Sequence, residues 1–175
     1  MCDTKSRYDL QQSMRRFALL FLIAVAAPLL ASEITTESVL TEMNAYRAKN
    51  GVWPLRIDSR LSLAAADRMR DMEDLEYWAH DAPDGRSPFV WLRPRGYEFQ
   101  FAGENLASGF ETSEVLLQGW MESPGHRANI LSTDYDDVGI AIIDGSTMRR
   151  ATGKSVVVMF GRTRHSSLSQ QAAKK

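Results

Sequence analysis

The apolar patterning of this chain changes character late in its length, and that change constrains the fold more than any other feature. Up to about residue 131 most apolar residues recur at helical spacing. Beyond it, "DVGIAIID" (137–144) and "SVVVMFGR" (155–162) are β-rich runs joined through the turn residues Asp144 and Gly145. Helical segments come first and strands second, with no alternation of strand and crossover helix. That order argues against a doubly wound parallel sheet and for an α+β fold or an α-β-α sandwich, with the two late strands antiparallel neighbours.

The local signals fill in this outline. "TESVLTEMNAYRAKN" (36–50) places Val39, Leu40, Met43 and Tyr46 on one helical face, with Thr36 as a start signal and Asn50-Gly51 as a stop. "VWPLRID" is extended, because Pro54 disfavours helix just before it. Asp58 can cap a second helix reaching about Tyr77, with Leu61, Ala65, Met69 and Met72 as its buried stripe. Ser87-Pro88 opens a short helix that Pro94 and Gly96 end. "YEFQFAGENLA" reads as an extended entry to a loop, so Glu104 and Asn105 are expected in a loop. Thr112 or Ser113 caps a third long helix containing Val115, Leu116, Gly119, Trp120 and Met121. There is no internal repeat and no interdomain linker.

Residues 1–31 have the layout of a secretory signal peptide. Arg15 and Arg16 precede an apolar stretch from Phe17 to Leu30, and Ala31 offers a small residue for cleavage. The stretch is shorter than the roughly 20 apolar residues of a membrane span. An uncleaved N-terminal anchor is the rival reading and the only membrane association expected. Export places the protein in the periplasm or outside the cell. Removing residues 1–31 takes away four cations and two anions, so a formal charge of −1 becomes −3. With no basic run to match a phosphate backbone, nucleic acid is not an expected partner. The single cysteine, Cys2, would leave with the signal, so the exported domain must be held by its apolar core rather than by disulfides. Residues 163–175 form a polar tail, expected to be disordered, that includes His165.

Three places can carry chemistry. His80 in "WAHDAPDG" lies beyond a helix end, where a histidine commonly serves only to hydrogen-bond carbonyls. Glu104 in "GENLA" is weak evidence alone. The stretch "SPGHRANIL" (123–131) is more specific. Ser123 can act as N-cap and Pro124 as first helical residue, which sets His126 and Arg127 in a first turn that favours anions. The helix dipole there would depress the pKa of His126 and leave a neutral imidazole for a metal or a proton. Ala128, Ile130 and Leu131 read as packing residues. Sequence spacing does not bring His80 and His126 together.

In order, "LTEMNAYRAKNGVWPLRID", "LSLAAADRMRDM", "HDAPDG", "GENLA", "WMESPGHRANIL", "DVGIAI" and "VVVMFG" resemble the bacterial branch of the CAP superfamily. That superfamily comprises the cysteine-rich secretory, antigen 5 and pathogenesis-related proteins, and its domain is also called the SCP domain. The resemblance spans residues 36–162. It implies a three-layer α-β-α sandwich with a central, mostly antiparallel sheet and an open cleft. The cleft of such proteins often holds two histidines and two acidic residues, and in some members the histidines bind a divalent metal such as zinc.

Carried onto this chain, the resemblance makes His80 and His126 the metal-binding candidates and Glu104 the candidate proton acceptor. Ser123 and Arg127 complete the candidate ligand-binding cleft. A Trp-x-x-Glu pattern supplies a second glutamate in many members; here Ser123 stands at that place, three residues after Trp120. Glu122 is adjacent, but one residue is a rotation of about 100° on a helix. The resemblance implies a monomeric exported binding module for a lipid or cell-envelope component, with zinc or another divalent ion as the cofactor to test. The other reading is a metal-assisted, peptidase-like hydrolase using His80, His126 and Glu104.

Overall fold

A computed structural model describes residues 33–145 and 153–164. Residues 1–31, where a signal peptide is expected, and the tail from His165 onward lie outside the described residues. Helix α1 (Thr36–Lys49) is followed by the two-residue strand β1 (Arg56–Ile57) and helix α2 (Ser59–Asp74). Two 3₁₀ turns (Pro88–Trp91 and Arg93–Arg95) lead into the long strand β2 (Phe99–Phe110). Helices α3 (Ser113–Glu122) and α4 (Pro124–Leu131) then precede β3 (Asp137–Asp144) and β4 (Lys154–Thr163).

The helix starts follow local hydrogen-bonding chemistry. Thr35, one residue before the expected cap, closes a capping box with Ser38 at the start of α1. Asp58 accepts from the Arg60 amide at α2, and Thr112 from the Val115 amide at α3. Helix α2 ends at Asp74, three residues short of the sequence expectation. Its C-cap is Leu75, and Glu76 turns the chain with a φ of 52°.

The sheet order is β1-β3-β4-β2, with β1 parallel to β3 and the other pairs antiparallel. Period-two alternation on β4 divides the core. Val156, Val158 and Phe160 face α1, α3 and α4, joining Val39, Met43, Leu116, Leu117, Trp120 and Ile130. Val157 and Met159 face α2, joining Leu61, Ala64, Ala65, Met69 and Met72. The result is the expected three-layer sandwich. Gly139 lets α2 lie directly on β3, because a Cβ there would overlap the backbone of Leu61 and Ser62.

The sequence reading errs at "GENLA". Strand β2 runs through it to Phe110, and Gly103 to Ala107 are buried rather than in a loop. The stretch is held by antiparallel pairing with β4 that is unbroken from Phe101 to Ser108, in which Glu104 opposes Met159 and Asn105 opposes Val158. A glutamate and an asparagine inside a strand read as loop-like in sequence, because their partners come from elsewhere in the fold.

Candidate functional site

Strand β2 ends the sheet among the described residues, and the candidate site sits across it. Adjacent strand residues point to opposite faces, so Glu104 and Asn105 serve different layers. Glu104 shares the α2 face with its cross-strand partner Met159; Asn105 shares the other face with Val158. From these two positions each histidine is held by a different route.

His80 is held from the α2 side. Its Nδ1 lies 2.7 Å from Glu104 Oε1, while the second carboxylate oxygen accepts from Arg68 Nε at 3.1 Å. The Glu104 side chain is 1% exposed and the His80 side chain 56% exposed, so a buried carboxylate anchors an open imidazole. Arg68 also donates to the His80 carbonyl at 2.8 Å, to the Ala79 carbonyl and to the Tyr77 hydroxyl. The Tyr77 hydroxyl in turn donates to Asp71. Burial, reinforced by that carboxylate, pushes the Tyr77 phenol up to about 12.

His126 is held from the other side. The Asn105 amide donates to the His126 carbonyl at 3.2 Å. Asn129, one helical turn on, donates to the Asn105 side-chain oxygen at 2.9 Å and to the Glu104 carbonyl at 3.0 Å. The Trp120 indole donates to the Leu106 carbonyl at 3.1 Å, and its ring lies 6.3 Å from that of His126. Thus α3 and α4 are both tied to β2 within three consecutive residues, 104–106.

These two routes bring the histidine rings together, with centroids 6.5 Å apart. Their electrostatics differ. The hydrogen bond to Glu104, reinforced by its charge, raises the pKa of His80, against burial and Arg68. Burial lowers the pKa of His126, and the nearby His80 lowers it further. The depression predicted for His126 is present, with burial as its main cause. Of the two rings, His80 is therefore the one that holds a proton more readily and His126 the one that gives it up first.

The remaining candidates stand apart from this pair. Ser123 occupies the N-cap position of α4, but its hydroxyl makes no capping bond, contrary to the sequence expectation. Arg127 and Ala128 are both exposed, so Ala128 is not the packing residue it resembled; Ile130 is fully buried and Leu131 partly so. Glu122 is exposed and accepts from Gln118 at 2.9 Å, so it does not replace the missing second acid. Two residues absent from the sequence reading matter most, Arg68 and Asn129. Arg68 carried a signal, since it lies four residues after Ala64 and four before Met72, within the buried stripe.

The family model of the cysteine-rich secretory protein (CAP) family matches residues 40–160. The chain belongs to the CAP family. Among curated relatives, the Bacillus subtilis (strain 168) protein YkwD is 37% identical over 112 residues, covering 64% of this chain and 44% of the relative. The membrane protein YlbC of the same organism is 29% identical over 111 residues, covering 63% and 32%. This CAP chain thus spans less than half the length of either. Among solved structures, an extracellular protein of Bacillus anthracis str. Ames containing an SCP domain aligns with a TM-score of 0.61 and 28% identity, covering 73% of this chain and 40% of that one. An outer surface protein of Borrelia burgdorferi aligns with a TM-score of 0.64 and 23% identity, covering 77% and 100%, and shows the shared fold. Among the described residues of this CAP domain, no helix is long and apolar enough to cross a membrane.

The site also permits a geometric test for metal. No group of three or more His, Cys, Asp or Glu side chains converges on one point among the described residues. Glu104 is committed to His80 and Arg68, so the available donors are the two imidazoles. A zinc–nitrogen bond of about 2.0–2.1 Å puts the ion roughly 3.2 Å from a ring centre, and tetrahedral ligation by two rings needs centroids about 5.2 Å apart. The observed 6.5 Å is about 1.3 Å wider, so the two rings must approach each other before both can hold one ion. With the rings brought closer, the two imidazoles would hold a divalent ion completed by water or an external ligand, and Glu104 would orient a ligand rather than act as one.

Proposed function

We propose that this CAP domain is an exported binding module whose cleft recognises a cell-envelope component through His80 and His126, with a divalent ion such as zinc as an optional bridge. The observation that carries this reading is the commitment of Glu104. Both of its carboxylate oxygens are taken, and its side chain is 1% exposed. A general base must reach the proton it removes. Glu104 is instead arranged as a buried support for an open histidine, which suits recognition better than hydrolysis. The open, polar setting of His80 favours the polar or charged part of an envelope ligand over an acyl chain. The signal-like residues 1–31 support export, as do the extracellular and surface locations named for the structural neighbours.

The test is calorimetric titration of the chain lacking residues 1–31 with zinc alone, with anionic phospholipid vesicles and with isolated cell-wall glycan. The binding reading expects at least one of these to bind with His80→Ala and His126→Ala each weakening it at least tenfold, and no turnover of a peptide library with zinc present. Zinc-dependent peptide cleavage lost in Glu104→Gln would instead establish the hydrolase reading.

A further inference from the structure

Arg68 is a charged residue where the helix pattern calls for an apolar one. Its side chain is fully buried, and its guanidinium lies 5.1 Å from the ring centroids of both Tyr77 and Trp91. Burying a guanidinium is costly, and an apolar side chain would fill the same volume without that cost. The compensation is specific. Nε meets the Glu104 carboxylate, Nη2 meets the Ala79 and His80 carbonyls, and Nη1 meets the Tyr77 hydroxyl. Asp71 lies 3.7 Å from Nη1. One rigid fork thus holds the backbone from which His80 springs and also the carboxylate that holds its ring. A lysine has no such fork.

The contact between His80 and Glu104 has a chemical consequence. A carboxylate only accepts, so neutral His80 must carry its proton on Nδ1, leaving Nε2 as the nitrogen with a free lone pair. We propose that Arg68 is a positioning residue of the cleft: by fixing Glu104 and the His80 carbonyl together, it sets the ring orientation and tautomer of His80 and so offers Nε2 to a ligand. This inference rests on the reading of His80 and His126 as the ligand-binding pair, but its decisive measurement does not.

That measurement is the side-chain ¹⁵N spectrum of His80 in the ligand-free protein, taken where the ring is neutral. The wild type is expected to show the Nδ1–H tautomer alone, and Arg68→Gln a mixture. Arg68→Lys, which restores the charge beside Glu104 without the fork, is expected to recover the single tautomer at least in part. In parallel, zinc titration is expected to show a 10- to 100-fold loss of affinity in Arg68→Gln, as for other outer-shell partners of ligating histidines. A residue with a merely structural role would lower the melting temperature and leave the tautomer unchanged. That result in folded Arg68→Gln, or a tautomer mixture in the wild type, overturns the proposal. Should Arg68→Gln fail to fold, Glu104→Gln interrogates the same link, and an unchanged tautomer there is equally fatal. If the wild type binds no zinc while the tautomer responds as expected, the metal reading falls and the positioning role stands.

Discussion

Replacing Arg47 by methionine should destabilise the domain by about 3 kcal/mol, although the substitution keeps much of the side chain's bulk and removes a buried charge. Arg47 is 1% exposed. It donates to the carbonyls of Trp53 at 2.6 Å, Ile130 and Ser132 at 2.8 Å each, and Tyr135 at 3.2 Å. Bonds to a charged donor are worth roughly 1.5–3 kcal/mol each, so four represent a gross contribution of about 6–12 kcal/mol. Against this stands the cost of burying the cation, several kcal/mol, which also lowers the pKa of Arg47. The surplus is about 3 kcal/mol, the scale expected when buried carbonyls are left without their donor. For a domain of this size that corresponds to a fall in melting temperature of roughly 10–15 °C. The loss should concentrate where the carbonyls are, at the C-terminal end of α4 and the turn after it. Thermal unfolding followed by circular dichroism gives the total, and amide hydrogen exchange locates it. If the Arg47→Met protein melts within about 2 °C of the wild type, the reasoning is refuted, because the four bonds would then do no more than offset desolvation.

The remaining predictions are smaller in scope. Glu104→Gln should lower the titration midpoint of His80, read from its ring proton shifts, since the hydrogen bond and charge of Glu104 are what raise it. The sign for stability follows: the raised His80 stabilises the fold below its unfolded value of about 6.5, and that contribution fades as pH rises through its folded midpoint. His126 acts oppositely, because its lowered folded pKa means that acidification below about 6.5 favours the unfolded chain. Substituting His80 by asparagine should raise the His126 midpoint only partway to its ordinary value, since burial is the larger cause of the depression. Trp120→Phe should cost about 1–2 kcal/mol in urea unfolding by leaving the buried Leu106 carbonyl without its donor. Gly139→Ala should cost about 3 kcal/mol in the same assay or prevent folding, because its methyl group meets helix backbone that cannot rotate away.

Much of the architecture follows from local rules. The stripe Leu61, Ala65, Met69 and Met72 is buried as its spacing requires, and both late strands form with their alternate residues dividing the core. Asp58, Ser87 and Thr112 cap the elements they precede. These features depend on periodicity and on backbone donors within a few residues, which is information that a single stretch of chain contains. The short β1 strand paired parallel to β3 was legible only as an extended segment, because its partner lies far along the chain, Arg56 pairing with Asp137.

The ordered motifs implied that these residues share one site, but their meeting is decided by tertiary structure. His80 and Glu104 are 24 residues apart, Arg68 and Glu104 36, and Asn105 and His126 21. None of these pairs has a spacing that a helix or hairpin would bring together. Glu104 looked like a solvated loop acid because sequence reports its charge and not its partners. Only the sheet edge shows it buried between Arg68 and His80, while its neighbour Asn105 reaches the opposite layer. By itself the sequence determined the long helices, the two late strands and the family, since these are encoded in local pattern. The tertiary structure decided which histidine favours a proton, because pKa values depend on burial and on charges brought close by folding.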